Sequence, residues 1–173
     1  MPGVSQHPDP NLGVRAVTGP GAGFEYVIEA DGGSRGNPGP AAYGTVVLKD
    51  GRIVRELAEV IGVTTNNVAE YRGLVAGLEW IAAETGQPEI VQAAPLVQAR
   101  LDSKLVVEQM SGRWRIKHPD MKELAIRARR AYPSEKVRYQ WVPREQNKRA
   151  DALVNEVLDA RAAGVVLAVD RGI

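Results

Sequence analysis

The sequence predicts an α/β fold: a mixed five-stranded sheet, made of an antiparallel three-strand meander plus two parallel strands, flanked by helices. Three observations predict it. Three runs rich in β-branched and aromatic residues, 24–30, 43–49 and 52–61, follow one another with short Gly- and Asp-containing breaks. A helical period then begins near Thr65 or Asn66 and holds to about Thr85. After it, strands alternate with helices in the order β-β-β-α-β-α-α-β-α, as crossover connections to parallel strands require.

At 173 residues, with 44% hydrophobic and 25% charged residues, the chain is long enough for one domain with a full core. It has no cysteine, which excludes disulfides, thiol nucleophiles and cysteine metal sites. That fits a reducing compartment, and a cytoplasmic location is expected. No apolar run is long enough to span a bilayer, so no membrane partner is expected. The two histidines, His7 and His118, are too few and too far apart for a histidine metal site. A metal would therefore be held by carboxylates, which selects a hard cation such as Mg2+ or Mn2+. The net charge of +1 hides an asymmetry: Gly112 to Arg149 carries twelve Lys or Arg against four Asp or Glu. One reading is a face that contacts a polyanion, and the other is an ordinary solvated helical surface.

In chain order, residues 1–23 hold Pro2, Pro8, Pro10 and Pro20 and no apolar core, and read as a disordered leader. Residues 24–163 read as the folded domain. Phe24 to Ala30 is the first strand, followed by the Gly-rich stretch Asp31 to Pro40 and the second strand. Asp31 is thus placed at a strand's end. Asp50-Gly51 is a two-residue turn signal leading into the third strand. The first helix carries apolar Val68, Tyr71, Leu74, Val75, Leu78 and Ile81, with Glu70 in its opening turns at the edge of that stripe. Gly73 and Gly77, four apart, allow it to pack closely. Leu96 to Leu101 is the fourth strand, ending in Asp102, and Leu105 to Met110 is a short helix. His118 reads as a helix-start residue, with Pro119 at the first position of a helix running to about Ala131. On that helix Arg127, Arg129 and Arg130 read as a solvated face. Lys136 to Val142 is the fifth strand, and Asp151 falls in the first turn of the last helix. The tail, 164–173, is apolar and β-prone at Val165 to Val169, placing it either on the domain or against a second chain.

Four acids share one description. Asp31 and Asp102 end strands, while Glu70 and Asp151 open helices. If the two strands are neighbours and both helices pack near their ends, four carboxylates meet at one rim. Such a cluster repels itself unless cations neutralise it. Two divalent ions about 3.5–4 Å apart activate a water and stabilise the leaving oxygen of a phosphodiester together, with no side-chain nucleophile.

Four stretches carry a resemblance: Asp31-Gly32-Gly33-Ser34-Arg35-Gly36-Asn37-Pro38-Gly39, Thr65-Asn66-Asn67-Val68-Ala69-Glu70-Tyr71, Asp102-Ser103-Lys104 and Asn147-Lys148-Arg149-Ala150-Asp151. In kind and order they resemble type 1 ribonuclease H, over about Phe24 to Ala163. The chain is most similar to the short archaeal and actinobacterial branch, which lacks a basic protrusion. The run Asp102 to Trp114 resembles the ribonuclease domain of actinobacterial enzymes that carry a C-terminal phosphatase domain. With the chain ending at Ile173, no such second domain is expected.

The resemblance implies a ribonuclease H-like fold and internal cleavage of the RNA strand of RNA/DNA hybrids, leaving 3′-hydroxyl and 5′-phosphate ends. It implies two Mg2+ ions, with Mn2+ as substitute, held by Asp31, Glu70, Asp102 and Asp151. Asp31 would bridge both ions, and Glu70 would also face the RNA 2′-hydroxyl, the group that separates RNA from DNA. Gly32, Gly33 and Asn37 would lie along the minor groove, Asn66 and Asn67 would reach base edges or sugars, and Lys104 would approach the RNA backbone. One departure stands out. Many family members carry a histidine in the loop before the last aspartate, whereas here the loop is Pro143-Arg144-Glu145-Gln146-Asn147-Lys148-Arg149. Arg144 is the candidate in its place. It can hold a phosphate but cannot shuttle a proton near neutral pH. Arg113 and Trp114, with Arg115 and Lys117, would grip the DNA strand; the other reading makes Trp114 a core anchor. The expected working unit is a monomer with no obligatory protein partner. Two other functions remain open at this point: a non-catalytic hybrid-binding module, and a 3′–5′ exonuclease with a similar acidic quartet.

Overall fold

Short turns set the first three strands in register. The computed structural model describes residues 23–86 and 90–172, so the expected leader lies, except for Gly23, outside the described residues. β1 (Tyr26–Ser34) and β2 (Gly39–Lys49) pair antiparallel, and β2 pairs antiparallel with β3 (Arg52–Thr64). Asp50 and Gly51 both have positive φ, 49° and 79°, as a tight hairpin turn matched to strand twist requires.

α1 (Asn66–Thr85) follows, capped by Thr65, whose side chain accepts from the Val68 N–H. β4 (Val97–Leu101) returns parallel to β1, and Ser103 caps α2 (Lys104–Met110) in the same way. His118 caps α3 (Pro119–Ala131) by accepting at Nδ1 from the Asp120 N–H, which is the helix-start role expected of it. β5 (Val137–Trp141) lies parallel to β4, and α4 (Lys148–Ala162) and β6 (Val169–Gly172) complete the chain.

The sheet order is β5-β4-β1-β2-β3-β6. It has six strands, not the expected five. β6 pairs antiparallel with β3, with Val169 opposite Ala58. Only Val169 of this strand is buried, and Val166 is fully exposed. Charge does the rest: Asp170 meets Arg55 at 2.6 Å, and Arg171 meets Glu56 at 3.0 Å and Glu156 at 3.1 Å. The tail thus lies on its own domain, held by pairs that a hydrophobic pattern does not display.

Strand alternation divides the core. Tyr26, Ile28, Ala30, Val97, Ala99 and Leu101 face α1 and α3 in the larger cluster. Ala42, Val46 and Ala58 face Leu153, Val154, Val157 and Leu158 of α4 in the smaller one. Gly73 and Gly77 seat α1 directly on β1. A Cβ on Gly77 would lie 3.0 Å from Ile28, and one on Gly73 would lie 3.1 Å from the Asp31 carbonyl oxygen.

Candidate active site

The sequence reading places Asp31 at the end of its strand, and the fold corrects this. β1 continues to Ser34, with Asp31 opposite Gly44 and Ser34 opposite Ala41 on β2. What ends beside Asp31 is the parallel ladder to β4, whose last pair is Ala30 and Leu101. Asp31 and Asp102 therefore stand one step past the last parallel pair of adjacent strands. Glycine allows the next component to arrive, because a Cβ on Gly32 would collide with the Ala69–Glu70 backbone. Lacking it, α1 comes close enough to bring Glu70 to Asp31.

Asp31, Glu70 and Asp102 each offer an oxygen within 4.8 Å of the others. The first two are buried, and Asp102 is half-buried. Asp31 Oδ1 accepts from the Gly32 N–H at 2.9 Å. Glu70 Oε2 and Asp102 Oδ1 are buried without a partner among the described residues. Asp151 is not in this trio, but it lines the same cleft of about 360 Å3, with Arg144 Nη2 3.6 Å from its Oδ1.

Burial favours the protonated form of each of the three carboxyls, and repulsion adds to it at Asp31 and Glu70. The Asp31 carboxyl is pushed up to about 7, first by burial and then by the Asp102 and Asp151 charges, against a hydrogen bond with Glu70. Glu70 is held well above the usual carboxylate range by burial and by the Asp31 and Asp102 charges. Burial raises Asp102 too, opposed by hydrogen bonds from Asp31 and Asn147 and by the Arg144 charge. Two orphaned oxygens within a clustered, hard donor set fit a divalent cation, which removes the repulsion and satisfies both atoms.

Of the residues expected to contact substrate, Gly32, Gly33 and Asn66 line the cleft with the four acids and Arg144. Asn37 joins them indirectly: its Oδ1 accepts from the Asn66 N–H at 3.1 Å. Asn66 Oδ1 in turn accepts from the Ser34 N–H at 2.8 Å and the Ser34 hydroxyl at 2.9 Å. Both amide oxygens are thus spent on stapling the β1–β2 hairpin to α1. Asn67 and Lys104 are not in the cleft lining. Lys104 is exposed in the first turn of α2, just past Asp102. Arg113 is held bidentate by Glu108, at 2.5 and 3.0 Å. Trp114 is 45% exposed, which removes the core-anchor reading, and it lines a different groove with Gln109, Ile116, Lys122 and Ile126.

A family model described as reverse transcriptase-like matches residues 29–157. Ribonuclease HI of Halobacterium salinarum is 43% identical over 148 residues, covering 84% of this chain and 70% of that protein. The chain belongs to the ribonuclease H family. The bifunctional protein Rv2228c of Mycobacterium tuberculosis is 51% identical over 150 residues, 85% of this chain. The match spans only 39% of that longer protein. The solved N-terminal ribonuclease H domain of Rv2228c, a fusion with maltose-binding protein, superposes with a TM-score of 0.70 at 47% identity, covering 82% of this chain and 98% of that one. LC11-RNase H1, crystallised with an RNA/DNA hybrid, gives a TM-score of 0.71 at 37% identity over 79% and 99% of the two chains.

In this ribonuclease H family member, sequence reasoning missed several groups around the acids. Asn147 is fully buried, and its Nδ2 donates to the Ala30 carbonyl at 2.8 Å. Trp141, half-exposed, donates its indole N–H to the Asp102 carbonyl at 3.1 Å. Asn155, four residues beyond Asp151, also lines the cleft. The position of Asn147 just ahead of a helix was a readable signal. Nothing local marked Trp141, because its partner is a backbone group on another strand.

Proposed function

We propose that this chain cuts the RNA strand of RNA/DNA hybrids internally, with two Mg2+ ions held by Asp31, Glu70, Asp102 and Asp151, leaving 3′-hydroxyl and 5′-phosphate ends. The observation that carries this reading is the trio of carboxylates within 4.8 Å, drawn from three distant parts of the chain into one cleft. When bound, such cations neutralise the acids and supply an activated water for displacement at phosphorus, with Mn2+ able to substitute. The crystallisation of LC11-RNase H1 with a hybrid supports the substrate class.

The chain's own residues account for the remaining needs. Asp31 and Glu70 sit on buried backbone, so the cleft needs little rearrangement before chemistry. Glu70 faces the 2′-hydroxyl of the RNA strand. Gly32 and Gly33 give the minor groove close access, with Asn37 holding Asn66 in place beside it, and the Asn66 and Asn67 amides meet sugars or base edges. Lys104 approaches the RNA backbone, and Arg144 holds a phosphate at the cleft mouth. Trp114 and Arg113 contact the DNA strand, although Glu108 already occupies the Arg113 guanidinium. In this reading residues 24–163 form the catalytic domain and the protein acts as a cytoplasmic monomer. Among the described residues, no helix is long and apolar enough to cross a membrane.

The test is a hybrid with an internal block of RNA, incubated with Mg2+ and then with EDTA. Cuts inside the block that stop with EDTA are expected. Trimming from one end would indicate an exonuclease, and binding without cutting would indicate a hybrid-binding module.

A further inference from the structure

Strand alternation puts Glu29 of β1 and Arg100 of β4 on the sheet face opposite the main core, as register partners in the parallel ladder. Their side chains are only 17% and 9% exposed. Arg100 Nη1 donates to Glu29 Oε1 at 3.2 Å, and Arg100 Nη2 donates to Gln146 Oε1 at 3.0 Å. Gln146 belongs to the loop that carries Arg144 to the cleft, and the next residue is Asn147, tied to the Ala30 carbonyl. Two successive loop residues are thus fastened to β1 and β4, the strands whose parallel ladder ends just before Asp31 and Asp102.

Stability alone is a poor account of this pair. Desolvating an Arg–Glu pair often costs as much as the attraction returns, and aliphatic residues of similar size hold such a site at least as well. Arg100 Nε is also buried with no partner among the described residues, an added penalty. What an aliphatic pair cannot supply is a rigid donor aimed at Gln146.

We infer that Arg100, oriented by Glu29, is a positioning residue: through Gln146 it fixes the 143–147 loop so that Arg144 faces the acid cluster. The role is specific to the proposed hybrid cleavage and rests on that reading. It makes the loop before α4 a braced support for the arginine rather than a freely moving flap.

The experiment is a double-mutant cycle on hybrid cleavage with Mg2+, alongside amide exchange of the loop. Gln146→Leu is at the surface and leaves the buried pair intact. It is expected to lower kcat about fivefold with KM within about twofold, since small misplacements of a catalytic group are costly. Gln146→Glu keeps the acceptor and is expected to hold kcat within about twofold of the parent. Gln146→Leu added to Arg144→Ala should cost almost nothing more, because both act through one group. The pair replacement Glu29→Leu with Arg100→Leu should lower kcat like Gln146→Leu without lowering the melting temperature. Exchange of the Gln146 and Asn147 amides should be faster in Gln146→Leu. Unchanged kcat in Gln146→Leu, full additivity with Arg144→Ala, or unchanged loop exchange would each overturn the inference. A parent that cuts no hybrid would sink the ribonuclease reading instead, and loop exchange would still decide whether the tether exists.

Discussion

The cleft has two unlike halves. One is the trio Asp31, Glu70 and Asp102, set on two central strands and a helix pressed against a glycine, with two carboxylate oxygens buried and without a partner among the described residues. The other is Asp151 with Arg144, at the start of α4 and in the loop before it, their side chains 33% and 77% exposed. The first half is assembled by the core itself: moving Asp31 would disturb β1 between β2 and β4. The second half depends on a few polar ties to that core. The difference teaches that preorganisation here is graded, with the costliest electrostatics placed where the backbone is least able to yield.

Substitutions should follow that gradient. Asp31→Asn is expected to lower kcat on the hybrid by on the order of 10³-fold or more, since it removes a buried charge from the proposed cation site. Equal activity in this variant would erase the distinction between the halves. Asp151→Asn should cost less, about ten- to a hundredfold, because the position is partly solvated and lies outside the carboxylate trio. Loss as large as that of Asp31→Asn would promote Asp151 to the rigid half. Arg144→Ala should cost least, about fivefold, the worth of an exposed charge contact near 1 kcal/mol. Steady-state kinetics with saturating Mg2+ ranks the three, and complete loss or no change in Arg144→Ala would remove it from the phosphate-holding role.

The same division governs what was legible in the sequence. Asp31 beside its glycines, Thr65 ahead of a helical period and Asp102 after an apolar strand were local signals, and the fold brings those acids together as expected. The extension of β1 through Gly32 and Gly33 was hidden, because glycine is a poor strand former and only its pairing with β2 and the approach of α1 keep it there. β6 was hidden for another reason: one buried valine and three polar or glycine residues carry no strand pattern, and its partners on β3 lie more than a hundred residues away. Arg100 was legible as alternating out of the main core but not as covered. Its side-chain partners, Glu29 and Gln146, lie 71 and 46 residues away along the chain.

The proton content of the rigid half gives the smallest effect and the sharpest contrast. Asp31 carries a folded-state value of about 7 against an ordinary 3.8, and Glu70 and Asp102 are displaced in the same direction. A carboxyl raised on folding adds stability below its unfolded value and loses it as pH climbs through its folded value. In EDTA the protein should therefore become less stable between about pH 4 and 7 on this account, with the melting temperature at pH 8 a few degrees below that at pH 5. Mg2+ should narrow the gap by stabilising the charged form at pH 8, while at pH 5 it competes with protons and does less. Asp31→Asn removes one titrating group and should flatten the EDTA profile. Asp151→Asn keeps all three titrating groups but removes one of the charges that raise Asp31, and should flatten the profile less than Asp31→Asn does. A profile flattened equally by both would mean that the trio and Asp151 share one electrostatic environment, and the graded cleft would reduce to a single cluster.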